Sequence, residues 1–248
     1  MPADTSFIAM PTQVKTFADP STLADAFAAD FSNWLSEQRQ PTVTVALSGG
    51  STPKLLFTRW ANQFADKVDW TRVHFFWCDE RCVAPEDPDS NYGVAKELFL
   101  DSVKIPAENV HRMIGESTPA DERARYETEI AEHVAVGDNG LPVFDYVMLG
   151  MGDDGHTASI FPHENQFLKS SNVCEVATHP TSGQKRITLT GPVLNNANKI
   201  AFLITGAGKA DVLADVVGHS GDFDRYPASH IQVDDLTFYL DQPAAAKL

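Results

Sequence analysis

The residues with the clearest capacity for chemistry lie in Tyr146-Val-Met-Leu-Gly-Met-Gly-Asp-Asp-Gly-His-Thr-Ala-Ser-Ile-Phe-Pro162, where an apolar run enters three glycines, two aspartates and a histidine. An imidazole titrates near neutrality, so His156 is a candidate acid–base group, and Asp154 could orient its ring. Glycines at the carboxyl end of a strand let a ligand approach the backbone. Three other stretches have related character. Ser48-Gly-Gly-Ser-Thr-Pro-Lys54 sets glycines and hydroxyls between an apolar run and a helical one, the makings of an anion-binding helix start at Gly49, Gly50 and Ser51. Cys78-Asp-Glu-Arg-Cys-Val83, with Ser90-Asn91 beyond, places Asp79, Glu80 and Arg81 directly after an apolar run, and Arg81 carries the planar fork that suits a phosphate or carboxylate. Gly206-Ala-Gly-Lys209 adds N–H groups and a point charge, and Arg186 is a further candidate cation.

Each stretch also has a plainer reading: a tight turn, a surface ion pair, a solvated cation. Their combination favours chemistry. Two anion-binding turns, three cations and one acid–base histidine suit a small phosphorylated substrate and proton transfer without a redox cofactor. Gly150-Met-Gly-Asp-Asp-Gly155 formally fits the dinucleotide pattern Gly-x-Gly-x-x-Gly, with Glu175 about twenty residues on. The context rejects it, because Asp153 and Asp154 put negative charge where a pyrophosphate would sit, and Pro162 stops a helix within two turns. No metal-ligand spacing stands out among the histidines, and Cys78, Cys82 and Cys174 read as reduced, incidental thiols.

The elements that must position these groups alternate. Strands are expected at 42–47, 73–77, 143–149, 200–205 and 237–240, and helices at 23–38, 52–65, 91–100, 119–136 and 209–217. This predicts an α/β fold, a mainly parallel sheet flanked by helices, with a small antiparallel addition to that sheet around 173–190. No linker or repeat divides the chain, so residues 1–248 are expected to form a single domain. Ligands of such sheets bind at the carboxyl ends of the strands, so the loops after Leu47, Trp77, Leu149 and Thr205 should hold the site.

Bulk composition narrows the classes. The 248 residues are 43% hydrophobic and carry a net charge of −15, which argues against nucleic acid and anionic membranes as partners. An anionic ligand must then be held by a locally basic pocket. Met1-Pro-Ala-Asp-Thr-Ser-Phe7 lacks the pattern of a signal peptide, so a cytoplasmic protein is expected.

The chain resembles 6-phosphogluconolactonases. Leu47-Ser-Gly-Gly-Ser-Thr-Pro53, Asp79-Glu-Arg81, Ser90-Asn91, Gly150 to Pro162, Arg186-Ile-Thr188 and Gly206-Ala-Gly-Lys209 carry the resemblance in order across nearly the whole sequence. The Asp-Gly-His-Thr-Ala-Ser block is the specific part. The resemblance implies a modified Rossmann-like fold shared with glucosamine-6-phosphate deaminase. It also implies hydrolysis of 6-phospho-D-glucono-1,5-lactone to 6-phosphogluconate in the pentose phosphate pathway, with no metal or cofactor. His156 would be the base, with Asp154 and Asp79 beside the reacting end. Gly49, Gly50, Ser51, Arg81, Asn91, Arg186 and Lys209 would line the substrate pocket of a monomer or weak homo-oligomer. The deaminase is the rival reading. It has a glutamate five residues after the histidine, where this chain has Phe161, and Asp-Glu-Tyr where this chain has Asp-Glu-Arg81. A phosphosugar-sensing module is a further alternative, disfavoured because the first forty residues hold no basic helix-turn-helix.

Overall fold

The computed structural model describes residues 13–248; the leader-sequence expectation rests on 1–7 and lies outside the described residues. Nine strands form there: β1 (Gln13–Phe17), β2 (Val43–Leu47), β3 (Val73–Trp77), β4 (Asp79–Arg81), β5 (Tyr146–Leu149), β6 (Cys174–Thr178), β7 (Lys185–Leu189), β8 (Ile200–Ile204) and β9 (Leu236–Asp241). The helices are α1 (Pro20–Glu37), α2 (Ser51–Gln63), α3 (Asn91–Leu98), α4 (Pro119–His133), α5 (Gly191–Leu194) and α6 (Ala210–Gly218). Six strands, in the order β1-β9-β8-β5-β2-β3, make one sheet in which every pair is parallel. No helix among the described residues is long and apolar enough to cross a membrane.

Burial explains these elements. Val43-Thr-Val-Ala-Leu47, Tyr146-Val-Met-Leu149 and Ile200-Ala-Phe-Leu-Ile204 are buried along their full length, as parallel strands covered on both faces must be. Helix α1 starts on an Asp19 capping box with Thr22 and buries Leu23, Phe27, Phe31 and Leu35, spaced four apart on one stripe. That stripe meets Trp60 of α2 and the β-sheet tyrosines, with Phe31–Trp60 ring centroids 4.7 Å apart and Phe27–Tyr239 4.9 Å. On the opposite face, Phe76 packs against Tyr126 of α4.

Strand pairing differs from the sequence expectation in three places. Strand β1 was not expected: Gln13-Val-Lys-Thr-Phe17 is polar and largely exposed at the sheet edge, so it has no buried run to reveal it. The charged stretch after Trp77 is a strand rather than a loop, because Asp79, Glu80 and Arg81 pair antiparallel with Thr188, Ile187 and Arg186. The antiparallel pair is therefore not an addition to the main sheet; β4, β7 and β6 form a second, three-stranded sheet. Cys78 joins the two. Its N–H donates to Leu47 O in the main sheet and its C=O accepts from Leu189 N at the second, each at 2.8 Å. Burial pushes the Cys78 thiol far above its ordinary value, so it remains an inert packing group.

Edge strand β3 is closed by hydrogen bonds rather than by another strand. His111 N donates to Phe75 O at 2.8 Å. The buried Tyr126 hydroxyl accepts from Trp77 N at 2.9 Å and donates to Trp77 O at 3.1 Å, tying α4 to the strand end that leads into Cys78. Tyr126→Phe leaves both backbone groups without a partner, and is expected to lower unfolding free energy by about 1–3 kcal/mol. Urea denaturation of the two proteins measures this; an unchanged midpoint would show that the tie is dispensable.

Candidate functional site

Succession along the sheet runs from β2 outward to β3, and from β5 the other way through β8 to β9. Adjacent strands β2 and β5 are thus the point where the connections diverge, and a crevice opens beyond their carboxyl ends. A cavity of about 240 Å³ lies there. All four expected segments reach it: Gly49, Gly50 and Ser51 after β2; Asp79, Arg81 and Asn91 from β4 and the start of α3; Gly152 and His156 after β5; Lys209 after β8. Arg186 arrives from β7.

The loop after β2 becomes helix α2 without a side-chain cap, because its cap position is Gly50, at φ +121° in a region that favours glycine. The first N–H groups of α2 are left for a ligand or solvent, the usual condition for anion binding. Thr52 Oγ1 lies 2.9 Å from Thr205 Oγ1, which locks this turn to the loop that carries Lys209.

His156 sits on the loop after β5 with Nδ1 2.6 Å from Asp154 Oδ1. The same carboxylate oxygen accepts the His156 backbone N–H at 3.1 Å. Burial would raise the Asp154 pKa, but the His156 ring and N–H outweigh it and hold the carboxyl down at about 2. An ionised carboxylate only accepts, so Nδ1 must carry a proton, and in the neutral imidazole Nε2 then presents a lone pair. That is the tautomer of a general base. A Cβ at Gly152 would lie 2.1 Å from His156 Nδ1 and 2.6 Å from Asp154 Oδ1, so the glycine makes room for the pair.

Arg81 and Arg186 are directly opposite one another on β4 and β7. Among the described residues neither forms a salt bridge, and the Nε of each is buried without a hydrogen-bond partner. Arg81 Nη1 donates only to the Asp89 carbonyl. Two like charges in register disfavour one another, so an anion between them would relieve both. Burial, above all, holds the Arg186 pKa below the usual guanidinium value, with Asp79 acting against it and Arg81 with it. Lys209 is not the free cation that its loop suggested: its Nζ pairs with Asp153 Oδ1 at 2.5 Å.

Asp79 and Asn91 are as much positioning groups as pocket walls. Asp79 Oδ2 accepts from Ser159 Oγ at 2.6 Å, and Asn91 Nδ2 donates to Asp79 O at 2.9 Å. Gly49 gives Asn91 its space, since a Cβ there would lie 1.7 Å from Asn91 Oδ1. Two contributors were given no role by sequence reasoning. Ser159 links Asp79 to Arg186, whose Nη1 lies 3.4 Å from the same hydroxyl. Glu80 points away from the pocket, and its carboxylate accepts from Arg81 N, Asn91 N, Tyr92 N and Ser90 Oγ at 2.7–3.0 Å. Burial raises its pKa against the pull of those N–H groups. The signal was an acid followed, ten residues on, by Ser-Asn at a helix start, but neighbouring charges hid it.

Gly152→Ala is expected to part the imidazole from Asp154 while the fold persists. Proton NMR of the imidazole N–H checks this: the hydrogen-bonded Nδ1–H resonance of His156 should be lost in the variant, and its retention would mean that the glycine's space is not required.

Residues 18–239 match the family described as Glucosamine-6-phosphate isomerases/6-phosphogluconolactonase. A 6-phosphogluconolactonase of Haemophilus influenzae is 42% identical over 236 residues, covering 94% of this chain and 98% of the relative. One from Treponema pallidum is 44% identical over 200 residues, covering 81% and 82%. Among solved structures, the 6-phosphogluconolactonase of Trypanosoma brucei superposes with a TM-score of 0.85 at 28% identity, covering 97% of this chain and 100% of that one. With the family pattern matched over most of its length and curated relatives above 40% identity, the chain belongs to the glucosamine-6-phosphate isomerase/6-phosphogluconolactonase family.

Proposed function

We propose that this protein hydrolyses 6-phospho-D-glucono-1,5-lactone to 6-phosphogluconate, with His156 as general base toward a water that attacks the C1 carbonyl. The observation that carries the reading is the 2.6 Å contact from His156 Nδ1 to a carboxylate held ionised, which leaves Nε2 free to take a proton. The relatives named 6-phosphogluconolactonase support the choice of substrate.

In this mechanism the uncapped start of α2 and Lys209 hold the phosphate, while Arg81 and Arg186 add the positive charge that a phosphate and a developing oxyanion both need. His156 Nε2 removes a proton from water as its oxygen bonds to C1. The tetrahedral intermediate then collapses, the C1–O5 bond breaks, and the imidazolium returns the proton to the departing ring oxygen. Asp154 stabilises that imidazolium and keeps the ring in register. Asp79 acts through Ser159, holding the wall beside Arg186.

Phe161 favours this reaction over amine release. It is fully buried, its ring centroid is 4.8 Å from that of His156, and the Arg186 guanidinium carbon lies 5.6 Å from it. A phenyl ring supports the imidazole and the guanidinium by packing, but it cannot relay a proton as a glutamate there would.

His156→Ala should lose about 10²–10⁴-fold in kcat with the fold intact. The check is a coupled assay on freshly made lactone, corrected for spontaneous hydrolysis and run beside glucosamine 6-phosphate. Near-native turnover in the variant, or preferential turnover of the amino sugar, would overturn the reading. Lys209→Ala also uncovers the Asp153 carboxylate beside an anionic ligand, so KM should rise more than kcat falls. Steady-state kinetics measures that split, and an unchanged KM would remove Lys209 from the phosphate site.

A further inference from the structure

A cluster of three histidines lies apart from the pocket and has no part in the proposed hydrolysis. His74 is on β3, His111 follows the segment that covers that edge strand, and His133 ends α4. None of them lines the cavity. One ligand nitrogen from each lies within 4.8 Å of the others. A tetrahedral zinc ion with bonds of about 2.0–2.1 Å needs its nitrogens about 3.3 Å apart. The observed spacings lie within about 1.5 Å of that value.

The surroundings have the form of a metal site. Glu129 Oε1 lies 2.7 Å from His111 Nδ1, and Arg125 Nη1 holds the other carboxylate oxygen at 2.9 Å. The anchored carboxylate puts the His111 proton on Nδ1 and leaves Nε2 as a lone pair, the carboxylate–histidine arrangement found behind metal-bound imidazoles. That Nε2 now faces His74 Nδ1 at 2.9 Å, with the ring planes 16° apart, so the two imidazoles share one hydrogen bond. Burial, first of all, lowers the pKa of both rings, which keeps them neutral and able to ligate. The His133 side chain is 37% exposed, so the cluster opens to solvent on that side.

We infer that His74, His111 and His133 form a three-imidazole site for a divalent transition cation of the zinc class, with a solvent-derived fourth ligand. On binding, the His74 proton moves from Nδ1 to Nε2, the freed Nδ1 joins His111 Nε2 at the ion, and His133 closes the third position. The ion would clasp the end of α4 to the start of edge strand β3, at the opposite end of the strand from the Trp77 that Tyr126 ties. Sequence spacing could not show it, because 37 residues separate His74 from His111.

The test is calorimetric titration of the chelator-treated protein with Zn²⁺ alone, with Co²⁺ absorption as a check on tetrahedral nitrogen ligation. One ion per chain is expected, together with a rise in Tm. His133→Ala, a change at an exposed position, should weaken binding at least tenfold and abolish the Tm shift while lactone turnover is unchanged. His156→Ala should bind Zn²⁺ as the parent does. Absence of stoichiometric binding, undiminished binding by His133→Ala, or loss of binding in His156→Ala would each overturn the inference, the last by assigning the ion to the pocket.

Discussion

The divergence of chain direction between β2 and β5 is the constraint on which the rest of the molecule depends. Every strand of the main sheet is parallel, so all carboxyl ends lie on one side. Loops leave them in opposite senses only at this pair, and the resulting crevice takes in all four segments. Two close backbone approaches follow. Gly49 admits Asn91 from the start of α3, and Gly152 admits the His156–Asp154 pair. The second sheet then folds over the opening through Cys78, bringing Asp79, Arg81 and Arg186 to the same space.

Electrostatics in this space opposes the average field of the chain. The protein carries a net charge of −15, yet Arg81, Arg186 and Lys209 converge on one cavity. The arginines are held together by strand register, without carboxylate partners among the described residues, and Lys209 is balanced by Asp153. Asp154 adds a negative charge whose effect is local: it fixes a tautomer. Charge of both signs is thus sorted at the scale of single side chains, with cations on the walls and the carboxylate behind the imidazole.

Long buried elements were legible in the sequence because burial imposes a period. The apolar runs at 73–77 and 200–205, and the helical stretch at 23–38, describe their strands and helix within three residues. The convergence of the glycine turns and His156 on one cavity was legible because each follows a parallel strand at its carboxyl end. Edge and cross-sheet pairing was not legible. Strand β1 has no buried face, and β4 is three charged residues whose partners lie about a hundred positions on. Lys209 read as free because its counter-charge, Asp153, sits on another loop. Ser159 and the three-histidine cluster depend in the same way on contacts between distant segments, which no local pattern encodes.

The central claim is that one ligand spans this crevice with its reacting carbon at His156 and its phosphate at the cations. A crystal structure of the protein with 6-phosphogluconate bound tests it most directly. The account predicts the C1 carboxylate within about 2.6–3.2 Å of His156 Nε2, and the phosphate at the start of α2 beside Lys209. A ligand bound in reverse, with its phosphate against His156, or one seated outside the crevice, would contradict it.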